Sequence, residues 1–143
     1  MSKTVLVAIL CIGLFAASEV SAAPDQVGQF AAPFNWPIVP VHPNVLPNGK
    51  ILAWDSETNS TTNPRVFDPI AGTFVEVPYN NVENLFCSAH VPLSDGRIFV
   101  AGGHINAYTG LDTATIFDPA TNGWTDQASM TYGRWYPTLT KLP

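Results

Sequence analysis

Val45–Trp54, VLPNGKILAW, and Pro92–Ala101, PLSDGRIFVA, carry one pattern twice, 47 residues apart. In each, a Leu is followed two residues later by Asn-Gly or Asp-Gly, then a basic residue, then an apolar run beginning with Ile. Gly49 and Gly96 suit a tight turn, because glycine accepts positive φ without steric cost. The run after each turn is short, apolar and rich in β-branched residues, which predicts a strand rather than a helix.

Working outward, a second pair of landmarks recurs in the same order. Arg65–Pro69, RVFDP, followed by Phe74, matches Thr115–Pro119, TIFDP, followed by Trp124, at an offset of 50. Asp-Pro opens a turn in both copies, and Asn122-Gly123 closes the second. Gly102-Gly103 ends the strand RIFVA, where the backbone can bend or approach a neighbour closely. The repeat length is therefore 47 to 50 residues. No stretch beyond residue 35 shows a helical apolar period over three turns. Each unit reads as a small antiparallel sheet, too thin to bury both faces by itself, which has to stack on its copies.

This period, with a glycine pair, an aromatic and a Trp at Gly102, Gly103, Phe117 and Trp124, resembles the kelch repeat, a blade of a β-propeller. The first unit is degenerate: Trp54-Asp55 stands where the glycine pair belongs, and Phe74 replaces the Trp. A β-sandwich with two hairpins alike by chance is the competing reading. Three landmarks recurring in order favour the all-β, kelch-type propeller. Propellers close with about 4–8 blades, whereas this sequence holds two and, from Leu139 to Pro143, the approach to a third. Residues 23–143 are accordingly expected to be a partial propeller, the N-terminal part of a longer protein truncated at the C-terminus.

The first 22 residues read differently. Lys3 precedes an apolar run from Thr4 to Ala17, and Val20-Ser21-Ala22 supplies small residues for cleavage. That is the layout of a secretory signal peptide, with a run too short for a comfortable membrane span. A retained anchor is the alternative. Cleavage removes Cys11, Lys3 and Glu19, leaving five basic and ten acidic residues, a net charge still of −5. No basic run is present, which argues against nucleic acid or an anionic membrane as partner. The expected product is exported, extracellular or periplasmic, and not membrane-bound.

One cysteine, Cys87 in ENLFCSAHV, then remains, and a single cysteine cannot close an internal disulfide. A lone Cys is more often a small buried hydrophobe than a reactive group. The repeat supplies a neighbour, however. Aligning Leu142-Pro143 on Leu93-Ser94 gives an offset of 49, which sets Tyr136 in its unit where Cys87 stands in the preceding one. Equivalent positions on the innermost strands of adjacent blades are expected side by side.

Leu85-Phe86-Cys87, Leu93-x-Asp95-Gly96-Arg97, Gly102-Gly103 and Gly133-Arg134-Trp135-Tyr136, in that order, resemble the radical-copper oxidases, the galactose oxidase and glyoxal oxidase family. The similarity runs over roughly residues 28 to 143, and Trp135 before the Tyr is nearer the glyoxal oxidase branch. The resemblance implies a thioether between Cys87 and Tyr136, with Tyr136 an equatorial copper ligand and radical site. It also implies a small alcohol or aldehyde as substrate and reduction of O₂ to hydrogen peroxide. The second Tyr, the two His ligands and the stacking Trp of that family have no counterpart in these residues, so the chain alone is expected to be inactive.

Other candidates have simpler readings. His42, His90 and His104 include a Cys87-x-x-His90 spacing, but no second pair completes a zinc site. Residues 87 and 90 on one strand would also face opposite ways. Asn59-Ser60-Thr61 is a sequon in a polar loop. Trp36, Trp54, Trp124 and Trp135 read as packing between blades. The rival function is a non-catalytic, exported kelch module binding a glycan or protein through its loops.

Overall fold

The computed structural model describes residues 23, 28–55, 63–79 and 83–142; the leader read over residues 1–22 and the sequon lie outside them. Among the described residues, eight strands form two four-stranded antiparallel sheets, each in simple sequential order. The first contains β1 (Asn44–Val45), β2 (Ile51–Ala53), β3 (Arg65–Asp68) and β4 (Thr73–Glu76). The second contains β5 (Ala89–Pro92), β6 (Ile98–Ala101), β7 (Ala114–Asp118) and β8 (Gly123–Asp126). Both lie in one compact unit, Asn35–Pro143. Among the described residues no helix is long and apolar enough to cross a membrane.

The turns show why the two halves fold alike. Leu46 N–H donates to Lys50 O at 2.8 Å, and Leu93 N–H to Arg97 O at the same distance. Gly49 and Gly96 return a bond to the Leu carbonyls at 2.9 and 3.1 Å, with φ of +78° and +88°. Each preceding Asn or Asp side chain accepts the next backbone N–H but one, Lys50 or Arg97. The outer hairpins repeat as well. Asp68 Oδ1 accepts from Ile70 and Ala71, and Asp118 Oδ1 accepts from Ala120. The left-handed residue falls at Gly72 (φ +65°) in one copy and Asn122 (φ +53°) in the other. Asn is among the few side chains that tolerate this region.

The core lies between the sheets. Leu52, Trp54 and Val66 of the first meet Ile98, Val100 and Phe117 of the second, with Leu46, Val77, Tyr79 and Leu85 filling in from the turns and the connection. Each such side chain contributes on the order of 1.5–3 kcal/mol by leaving water. Two indoles tie the sheets through the connecting segment: Trp54 Nε1–H donates to Leu85 O at 3.1 Å, and Trp124 Nε1–H donates to Val77 O at 2.9 Å. Tyr79 adds a third tie, donating to Asp126 at 2.9 Å.

Trp36 packs on Phe67 and Phe74, at centroid distances of 4.9 and 5.0 Å, and so covers an aromatic patch of the first sheet.

His42 and His90, 48 residues apart, meet at the inner edge of the junction. His42 is buried and stacks on Trp54 at 5.2 Å, and its ring meets His90 edge-on at 5.6 Å. His90 Nδ1–H donates to Asn44 Oδ1 at 2.7 Å. Burial holds both imidazoles below the ordinary histidine range; His42, which also feels the charge of His90, falls to about 4. The unfolded chain then binds more protons than the folded one between about pH 6.5 and 4. Stability is therefore full above pH 6.5 and declines as pH falls through that window, by an amount on the order of 1–3 kcal/mol. Urea melts at pH 7 and pH 4.5 should show this difference, and His42→Phe should flatten it.

Candidate functional site: the Cys87–Tyr136 corner

Cys87 and Tyr136 are brought together, but not on strands. Cys87 sits in a turn closed by Ser88 N–H donating to Leu85 O at 3.2 Å, two residues before β5 begins at Ala89. Tyr136 lies beyond β8 in a segment that forms no strand. The expectation of innermost strands is corrected by the backbone: both residues are left-handed, with φ of +64° at Cys87 and +51° at Tyr136. Such a corner interrupts a strand, and for a bulky side chain it costs roughly 1–2 kcal/mol. The repeat offset of 49 nevertheless aligns them, since two corners of the same hand occupy equivalent places. Tyr136 N–H donates to Cys87 O at 2.8 Å.

The side chains differ in exposure. Cys87 is buried and forms no disulfide, whereas Tyr136 is 56% exposed. A hydrogen bond with the Cys87 side chain raises the phenol pKa above its ordinary value, with desolvation and the charge of a thiolate acting the same way. The phenolic proton is thus held on the oxygen while the thiol is present.

His104 completes the corner. Its Nδ1 accepts from Trp135 Nε1–H at 3.2 Å and lies 3.6 Å from Cys87 Sγ. The Trp135 ring meets Tyr136 edge-on at 4.8 Å and Tyr108 at 5.3 Å. Tyr108 is itself left-handed (φ +67°). The sequence signal for His104 was its place directly after the glycine pair Gly102-Gly103.

Close backbone approach builds this corner. Gly103 N–H donates to Arg134 O at 3.2 Å, Arg134 N–H to Leu111 O at 2.8 Å, and His104 N–H to Asn84 O at 2.8 Å. A Cβ on Gly103 would stand 2.6 Å from Asn84 O, and one on Gly110 would overlap the Arg134 carbonyl. Three segments therefore cross where no side chain fits.

The Cys87-x-x-His90 spacing makes no site: the sulfur faces His104 and the imidazole faces Asn44. Among the described residues no group of three or more His, Cys, Asp or Glu can hold a metal ion. Copper favours imidazole nitrogen, yet Nδ1 of His104 is already engaged and Tyr136 offers a single oxygen. These residues do not fit copper as a complete ligand set.

Residues 85–131 match the Kelch motif. The chain is 34% identical over 92 residues to the Kelch-like protein terF of Aspergillus terreus (strain NIH 2624 / FGSC A1156), a match covering 60% of this chain and 19% of that relative. The chain thus spans about a fifth of the relative's length. With two sequential four-stranded antiparallel sheets, the fold is consistent with a partial kelch β-propeller.

Gly110→Ala should destabilise the protein by about 3 kcal/mol or more, since backbone rather than a flexible side chain must move. Urea denaturation measures this, with Gly123→Ala, where a Cβ would meet only the Thr121 side chain, as the comparison.

Proposed function

We propose that this chain is the portion of an exported copper-radical oxidase that carries the sulfur-bearing radical tyrosine, glyoxal oxidase-like in its sequence before Tyr136. What supports the reading is one observation: a buried thiol and a phenol meet at two left-handed corners joined by a backbone hydrogen bond. Neither a buried hydrophobic Cys nor a surface Tyr requires a strained corner, let alone two in register.

The chemistry asks for these residue types. Forming the thioether breaks the Cys87 S–H bond and one ring C–H bond of Tyr136, makes an S–C bond, and passes two electrons and two protons to dioxygen. Copper, when bound in the whole protein, supplies one-electron redox chemistry beside the modified phenol. A two-electron oxidation of an alcohol or aldehyde needs a second one-electron store, which the sulfur-substituted ring provides by being easier to oxidise. The residues of this chain hold the sulfur against the ring, keep it from other thiols by burial, and leave the phenol accessible. The imidazoles and second phenol are supplied outside the described residues.

A second reading, an exported kelch module that binds a glycan or protein, is favoured by the exposed loop aromatics Tyr108 and Tyr132 and by Ile105. Copper dependence separates the two. Loading the full-length protein with copper in air should remove two hydrogens from its intact mass and make Cys87 resistant to alkylation. It should also release peroxide from glyoxal, methylglyoxal or a primary alcohol. Tyr136→Phe should abolish both the mass change and turnover, and the 143-residue chain alone should release no peroxide. An alkylatable Cys87 and an unchanged mass after copper loading would leave the binding module as the better account.

A further inference from the structure

The imidazole beside the thiol and phenol has a determinate hydrogen-bonding state. An indole Nε1 can only donate, so Nδ1 of His104, 3.2 Å from Trp135 Nε1, accepts and carries no hydrogen. The ring is therefore the Nε2–H tautomer. In the 3.6 Å contact between Nδ1 and Cys87 Sγ the thiol must then be the donor, and its hydrogen points at the imidazole. The lone pairs of sulfur are left free to face elsewhere.

The backbone of the same residue is pinned toward both halves of the pair. His104 N–H donates to Asn84 O, three residues before Cys87, and Gly103 N–H donates to Arg134 O, two residues before Tyr136. Trp135, which His104 holds, packs edge-on against the Tyr136 ring at 4.8 Å. One nitrogen thus orients the sulfur directly and the phenol ring by way of an indole.

We propose that His104 is the positioning residue of the Cys87–Tyr136 pair, acting through a single acceptor, Nδ1, shared by the Cys87 thiol and the Trp135 indole. The proposal deepens the thioether reading and rests on it for its consequence. It assigns His104 neither a copper ligand's role nor a proton-transfer role.

The test uses full-length, copper-free protein labelled with ¹⁵N at His and Trp, followed by copper loading in air. The Trp135 indole resonance, assigned with Trp135→Phe, should sit at the hydrogen-bonded end of the indole group, and His104 should show the Nε2–H correlation pattern. His104→Asn sets a carbonyl oxygen near the place of Nδ1 and should keep the indole shift and cross-linking within about threefold of wild type. His104→Phe keeps the ring volume without the acceptor; it should lose the indole shift and slow the two-hydrogen mass loss by about tenfold or more. A Nδ1–H tautomer, or equal cross-linking rates in the two variants, overturns the proposal. If wild type itself never cross-links, the thioether reading fails, and the spectra alone then judge His104. An indole shift present in wild type and His104→Asn but absent in His104→Phe sustains its positioning role, and one unaffected by His104→Phe refutes it.

Discussion

A four-stranded sheet has two faces and this protein makes each sheet bury one against the other, so the junction between sheets is the constraint from which the rest follows. Apolar side chains fill it, but two indole N–H groups fix its geometry. Trp54 reaches from the first sheet to the carbonyl of Leu85, and Trp124 reaches from the second to the carbonyl of Val77. Both acceptors belong to the connection between the sheets. Satisfying a buried N–H there avoids a cost of about 1–3 kcal/mol each, and it specifies a single docking of the two faces. The segment that receives the Trp54 bond continues directly into Phe86 and Cys87, so the packing constraint and the candidate site share a backbone.

The site is therefore a by-product of how the repeat is tied. Where the second sheet turns at Gly102-Gly103, the chain passes against both the Asn84 segment and the Arg134 segment. Each of these ends, within three residues, in a left-handed non-glycine residue. The corner brings a thiol, a phenol, an imidazole and an indole together without any of them lying on a regular element. Strained positions of this kind persist only where surroundings over-determine them, and here the surroundings are three crossing segments of backbone.

Much of the fold was legible because it is local and doubled. The Asn-Gly and Asp-Gly turns, the Asp-Pro corners and the apolar runs between them each follow from residue type, and their recurrence excluded accident. Even the substitution of Asn122 for Gly72 is readable, since both residues accept the same backbone region. The pairing of Cys87 with Tyr136 was accessible through the offset of 49, but the reason for it was not. Nothing in residue type marks a Cys or Tyr as left-handed, and the expectation of paired strands gave way to paired corners. His104 was less visible still, because its partners are 17 and 31 residues away.

The hydrogen bond from Tyr136 N–H to Cys87 O has a kinetic meaning beyond its modest energy. Thiol and phenol do not have to find one another by diffusion of a flexible loop, since their backbones are already one bond apart. Any reaction between them is intramolecular, with an effective concentration set by the fold and not by the length of chain separating them. A repeat protein can in this way place two chemically different residues in register simply by being periodic.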